Sequence, residues 1–318
     1  MNDSAYEINK GRNRLHIKKN LFLLLMVLPG TIWFIIFKYL PMIGVVIAFK
    51  DFNIDKRGFI YSLVNSKWVG FENFKYLFSS DDAFIIVRNT VGYNLIFILL
   101  QVLIPVTLAI GLNELRNKKI SKIYQTGMIF PYFLSWVVAS YFLYSFLSVD
   151  KGVINNILVS AGFEGKMWYS ETSYWPFILI FMSLWKSMGY YTVFYLAAIC
   201  GIDYSYYESA MMDGAKKLQQ IKYITIPLLT PVISILTLLA IGKIFYADFG
   251  LFYQMPRESG VLFPVTNVID TYVYRGLMKL GDIGMSAAGG LYQSLVGFIL
   301  IIISNMIVRR FDKQQALF

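Results

Sequence analysis

One cysteine, Cys200, and one histidine stand in a chain of 318 residues. A single thiol excludes an intrachain disulfide, and one histidine with one cysteine cannot supply the clustered ligands of a zinc or iron–sulfur centre, so no metal site is expected. Cys200 reads as a small apolar residue in a helix. Charge is scarce as well, at 15% of residues, where soluble domains carry roughly 25%. Also missing is a Gly-x-x-x-x-Gly-Lys-Ser/Thr loop, whose backbone N–H groups would cradle nucleotide phosphates. No cofactor is expected on this chain. No low-complexity segment and no internal repeat at a fixed period occur.

What is there is apolar. Hydrophobic residues make up 57% and aromatics 17%, and the mean hydropathy is +0.56. The composition describes an all-α polytopic membrane protein. A spanning helix needs about 20 mostly apolar residues, and six stretches qualify: Leu21–Phe49, Phe84–Leu112, Tyr124–Leu147, Trp175–Ile202, Ile224–Phe249 and Gly284–Val308. The first follows a basic region, as a signal peptide would. No small-residue cleavage site follows it, and the apolar run continues through Trp33 and Phe34, so a first transmembrane helix is expected.

The net charge of +10 raises nucleic acid as a partner, but the positions of the charges argue for membrane orientation instead. Lys10, Arg12, Arg14, Lys18 and Lys19 precede the first span. Arg116, Lys118, Lys119 and Lys122 follow the second, Lys216, Lys217 and Lys222 the fourth, and Arg309, Arg310 and Lys313 the sixth. The opposite side carries fewer cations, spread over longer loops. The positive-inside rule therefore places both termini in the cytoplasm, with the loop around Glu208. The expected organisation is a basic arm at 1–20, a membrane domain at 21–310 and a tail at 311–318. Outside, Trp68–Phe78 mixes aromatics with charges and suits a short interfacial helix, and Trp168–Trp175 has the character of an aromatic belt.

The loop at 203–227 carries Glu208-Ser209-Ala210-Met211-Met212-Asp213-Gly214-Ala215, then Ile226-Pro227-Leu228-Leu229. Small side chains at Ser209, Ala210 and Ala215 suit a face that seats in another protein's groove. Gly214 permits a turn, with Asp213 placed to hold it and Glu208 to orient the contact. Lys216–Tyr223 reads as a second short helix, and Pro227 falls near the start of the next span, where its missing N–H is tolerated.

This segment resembles the EAA loop of ATP-binding-cassette importer permeases, with a pattern of Glu-Ala-Ala, a later Gly, and Ile-x-Leu-Pro. Ser209 departs from it, small for small. Trp185-Lys186-Ser187-Met188-Gly189-Tyr190 is similar to a tract upstream of that loop in sugar permeases. Leu28-Pro29-Gly30, Phe34–Met42, Ala48–Phe52, Trp68–Phe74 and Arg88-Asn89-Thr90 resemble the maltose-type polysaccharide and oligosaccharide permeases. The resemblance covers almost the whole chain. It implies a MetI-like membrane domain of six transmembrane helices in a bacterial plasma membrane. It further implies a second homologous permease and two cytoplasmic ATPase subunits that bind ATP and Mg. An extracytoplasmic solute-binding protein, a lipoprotein in such systems, would deliver a carbohydrate. Glu208, Ser209, Ala210, Asp213, Gly214, Ala215 and Pro227 would then form the ATPase-coupling surface.

Polar groups in a span are costly and usually face a cavity or a partner helix. Lys186, Ser187, Tyr191, Thr192 and Tyr195 in span four, Lys243 in span five, and Asn89, Asn94 and Gln101 in span two are such groups. Sugar sites combine aromatic faces with a few placed polar groups, and the resemblance implies solute contacts in span four and at the end of span five, so the solute pathway is expected at Trp185, Gly189, Tyr190, Tyr246 and Asp248. Lys243 and Asp248 are placed to pair with each other or with the second permease. The alternatives are weaker. A secondary transporter would show inverted repeats and midplane carboxylates, of which only Asp248 qualifies. A membrane enzyme would need a cluster of His, Asp, Glu or Cys at depth.

Overall fold

The computed structural model describes residues 17–75 and 81–311. The basic arm up to residue 16, the interfacial residues Tyr76, Leu77 and Phe78, and the tail from residue 312 with Lys313 lie outside them. The chain forms two compact units, Met1–Val46 and Ile47–Phe318.

In the first unit, α1 (Ile17–Phe34) widens into a π turn, Ile35–Tyr39, and then tightens into a 3-10 stretch, Leu40–Phe49, that runs on into the second. The widening has a cause in Pro41, which lacks an N–H and crowds the carbonyl four residues back. A turn closed by Leu40 N–H on Ile35 O makes room for it.

The second unit opens with β1 (Lys50–Asp51) paired antiparallel to β2 (Lys67–Trp68) across α2 (Phe59–Asn65). The short helix expected at Trp68–Phe78 is instead this strand and one 3-10 turn, Glu72–Phe74. Asn73 ties it down by donating to the carbonyls of Ala48 and Lys50 at 3.1 and 2.9 Å. Trp68 and Phe71 stay exposed.

Then follow α3 (Asp81–Glu114), α4 (Lys118–Ile129), α5 (Trp136–Leu147), α6 (Val153–Ser160), α7 (Trp175–Cys200), α8 (Ser205–Met212) and α9 (Lys217–Ile241). Three short helices, α10 (Phe249–Gln254), α11 (Phe263–Thr266) and α12 (Ile269–Arg275), precede the long α13 (Ile283–Phe311). Among the described residues, five helices are long and apolar enough to span, counting Leu23–Phe49, and α4 with α5 makes a sixth span only as a pair bent by 101°. Helices α3 and α7 pack along their length, burying Ala109, Leu112, Tyr195 and Ile199 in one cluster and Phe97, Leu179 and Met182 in another.

Two expected spans are therefore broken. Tyr124–Leu147 is interrupted because Pro131 sits in a 3-10 turn, Leu134 is extended, and the Ser135 hydroxyl caps α5 by accepting from Val138 N–H at 3.2 Å. The span expected to reach Phe249 stops at Ile241, and turns replace the helix from Gly242 to Phe245. Trp175, expected in an aromatic belt, is fully buried and donates to Trp168 O at 2.7 Å.

Backbone released from a helix inside a membrane must find partners in the protein. The unbroken helix α3 supplies them. Arg88 donates to Pro264 O, Asn89 to Pro264 O and Asn267 O, Tyr93 to Val265 O, and Asn94 to Ile244 O and Tyr246 O, all within 3.2 Å. The Thr90 hydroxyl accepts from Ile269 N–H at 3.0 Å. The Arg88-Asn89-Thr90 tract is thus a receiving edge for the irregular segment between α9 and α13. Asn89→Leu keeps the side-chain size and removes the donor to two carbonyls. A loss of about 1–3 kcal/mol is expected for the buried acceptor left unpaired, read as a lowered melting temperature of the detergent-solubilised protein.

Candidate functional site

Both breaks open on one polar cavity of about 480 Å³. Its depth follows from the helices around it. Asn94, Lys186 and Ser294 lie near the middles of α3, α7 and α13, and all three adjoin the broken segments. Gly242 and Gly297 allow α9 and α13 to touch there, since a Cβ on Gly297 would stand 2.7 Å from Gly242 O. Close approach through small residues is characteristic of membrane helix pairs.

Each break is held by the opposite wall. The Lys186 ammonium donates to Tyr132 O at 3.0 Å and to Leu134 O, the carbonyls released at the α4–α5 bend. The Trp136 indole donates to Asp248 Oδ2 at 2.9 Å, joining the two broken spans across the cavity. Asp248 Oδ1 also accepts from Leu251 N–H and so caps α10. Behind it, Gln293 donates to Phe245 O at 2.6 Å and to Asp270 Oδ2 at 3.1 Å. The Tyr132 and Tyr190 rings stack with centroids 4.5 Å apart, and the Tyr246 hydroxyl shares a hydrogen bond with Ser294. The result is a chamber of amide, hydroxyl, indole and ammonium groups beside aromatic faces.

Of the residues expected along the pathway, Tyr190, Tyr246 and Asp248 line this cavity together with Asn94, Gln101 and Lys243. Trp185 and Gly189 do not. On a helix, residues four apart share a stripe, and Lys186 and Tyr190 hold the stripe that faces the cavity. Trp185 borders a separate apolar cavity of about 580 Å³ with Phe142, Phe146 and Phe181. Gly189 is a packing contact, because a Cβ there would meet Met128 O at 2.0 Å. The expected Lys243–Asp248 pair is not formed within this chain, since Asp248 is taken by Trp136 and Leu251. Tyr132 and Trp136 escaped the sequence reading, which took their segment as a plain span. Pro131 followed by Ser135 was the available signal.

At the other end of the bundle, α8 stops in a Schellman turn. Ala215 N–H bonds Ala210 O and Gly214 N–H bonds Met211 O, with Gly214 at φ +78°. Backbone bonds close this turn, not the Asp213 carboxylate as expected. The expected second short helix is continuous with span five as α9. Pro227 opens its α-helical part, Ile226–Ile241, and a π turn, Ile221–Thr225, makes the room.

The loop is fastened at its base. Tyr207 OH meets Thr225 Oγ1 at 2.9 Å, Lys217 pairs with Glu114 at 3.0 Å, and Gln220 donates to Ala215 O at 3.1 Å. The Asp203 carboxylate, held below the usual range by the Ser205 backbone N–H, sits before the start of α8. The outer surface is left open. Glu208, Ser209, Asp213 and Gly214 are exposed, Ala210 and Ala215 are half-buried, and Met212 and Leu218 are 88% and 79% exposed.

Comparison with known proteins accords with this architecture. A family described as the binding-protein-dependent transport system inner membrane component matches residues 101–313. Protein LplB of Bacillus subtilis (strain 168) is 36% identical over 302 residues, covering 95% of this chain and 92% of that protein. The polygalacturonan/rhamnogalacturonan transport system permease protein YteP of the same organism is 35% identical over 305 residues, covering 95% and 93%. A chain of a bacterial alginate ABC transporter, crystallised in complex with an alginate pentasaccharide-bound periplasmic protein, superposes with a TM-score of 0.83 at 31% identity, covering 93% of this chain and 97% of that one. The chain belongs to the family of inner membrane components of binding-protein-dependent transport systems, as a multi-pass permease subunit of an ATP-binding-cassette importer.

Proposed function

We propose that this chain is one half of a two-permease pore that imports a carbohydrate, an oligosaccharide or polysaccharide fragment, with energy from two cytoplasmic ATPase subunits. The loop at 203–227 is the observation that carries the coupling. It is anchored to α3 and α9 at its base, and it presents Met212 and Leu218 to solvent at the tip of a glycine-closed turn. Exposed apolar side chains on a polar loop are suited to a protein contact. Glu208, Ser209, Ala210, Asp213, Gly214 and Ala215 form the seat, and Pro227 lies at its junction with the span. ATP and Mg are held by the partners. Closure of the ATPase pair moves the loop, and rigid-body rocking of the helices turns the cavity from one side to the other. Both termini, the arm at 1–20 and the tail at 311–318 included, face the cytoplasm with the loop.

The carbohydrate assignment draws on the names of the relatives and on the cavity, where stacked Tyr132 and Tyr190 stand beside Tyr246, Asp248 and Asn94. An extracytoplasmic binding protein, anchored as a lipoprotein, delivers the solute. The test is reconstitution in liposomes with the second permease, the ATPases and the loaded binding protein. Uptake that requires internal ATP is expected. Uptake sustained by an ion gradient without the ATPases would instead favour a secondary transporter.

A further inference from the structure

Three charged side chains line the mid-membrane cavity: Lys186, Asp248 and Lys243. Two of them are engaged. Lys186 caps the carbonyls of Tyr132 and Leu134 and lies 5.2 Å from the Trp136 ring centre. Asp248 accepts from the Trp136 indole and from Leu251 N–H. The Lys243 ammonium makes no hydrogen bond or ion pair among the described residues, and the side chain is exposed. It extends from the turn that replaces the helix after Ile241, a segment whose carbonyls at Ile244 and Tyr246 are already taken by Asn94.

We propose that Lys243 reads a negative charge on the solute: the cavity takes a carbohydrate that bears a carboxylate, and Lys243 is its specificity-determining contact. This rests on the carbohydrate-permease reading above. A charge within a span faces a water-filled cavity or a partner; Lys243 is exposed to the cavity, and a carboxylate is an acceptor-only group that would meet it with charge-assisted hydrogen bonds. The other walls do not duplicate the role. The Asn94 amide N–H groups are engaged by backbone, and Gln101 faces Ser187 at 3.4 Å. With two cations and one anion, the lining as a whole carries a positive excess.

A cation just past a helix C-terminus also interacts with the helix dipole, and that role makes a different prediction. Labelled trigalacturonate and its carboxyl-reduced analogue are bound to the purified permease–ATPase complex in detergent, without binding protein. The wild type is expected to prefer the uronate at least tenfold. Lys243→Gln should lose this preference while remaining monodisperse and binding the reduced sugar as before, and Lys243→Arg should keep it. Equal binding of the two sugars by the wild type would overturn the proposal. So would a Lys243→Gln variant that weakens both equally, as a helix-terminus role predicts. Failure of the wild type to bind either sugar would also overturn the proposal, whereas the carbohydrate reading on which it rests stands or falls with the liposome uptake above, so the two failures are distinguishable.

Discussion

Gly214→Val abolishes ATP-dependent uptake and strips the ATPase subunits from the purified complex, while the permease still inserts into the membrane. Gly214 stands at φ +78°, in the left-handed region. A β-branched residue is an outlier there, and the left-handed conformation costs roughly 1–2 kcal/mol per non-glycine residue. No atom lies within 4 Å of where a Cβ would stand, so the penalty is conformational and not a clash. Relief requires opening the Schellman turn, which loses the Ala215–Ala210 bond and re-aims Met212 and Leu218 together. A docking surface displaced by a few ångströms no longer matches its groove. Gly214→Asn, with a residue that tolerates this region, is expected to retain most coupling. Co-purification and uptake, measured side by side, check the pair of variants. Normal uptake by the valine variant would show that the loop is not the coupling element.

Lys186→Met is expected to give the second largest effect. The side chain keeps its length and loses the ammonium that caps Tyr132 O and Leu134 O at the α4–α5 bend. A hydrogen bond to a charged group contributes about 1.5–3 kcal/mol, and two such bonds on these partly exposed carbonyls are lost at once. Tyr132 and Trp136 would shift with the bend. The Tyr132–Tyr190 stack and the Trp136–Asp248 bond, which tie the cavity walls together, would then loosen. Uptake should fall more than tenfold and the melting temperature should drop, whatever the charge of the solute. That indifference separates Lys186, a structural cation, from Lys243. Unchanged stability and unchanged uptake would show that the bend needs no cap.

The two lysines also mark how far the sequence could be read. In the linear chain they look alike, each a cation in an apolar span. Only contacts from other elements distinguish one that caps carbonyls from one that faces the cavity unpaired. The same holds for Trp185 and Tyr190. Both belong to a tract similar to sugar permeases, yet the helical stripe puts Tyr190 at the cavity and Trp185 against Phe142 and Phe181.

The turn in the loop at 203–227 was legible because its chemistry is local. A glycine that permits a turn, small residues beside it and a proline near the start of the next span are all read from nearby positions. The long helices were legible for a related reason, since hydrophobic length is a property of the linear chain. Apolar composition also hid something. Tyr124–Leu147 and Ile224–Phe249 both read as continuous spans. A bilayer tolerates a break only where a neighbouring helix supplies hydrogen-bond partners, and those partners, Lys186 and Asn94, lie far away in sequence.

By itself, then, the sequence determined that this protein spans a membrane and how the loop at 203–227 turns, because hydrophobic length and local backbone preference suffice for both. The tertiary structure alone decided where two spans break and which polar residues meet in the resulting cavity. Those features arise when donors on unbroken helices satisfy backbone released from distant ones.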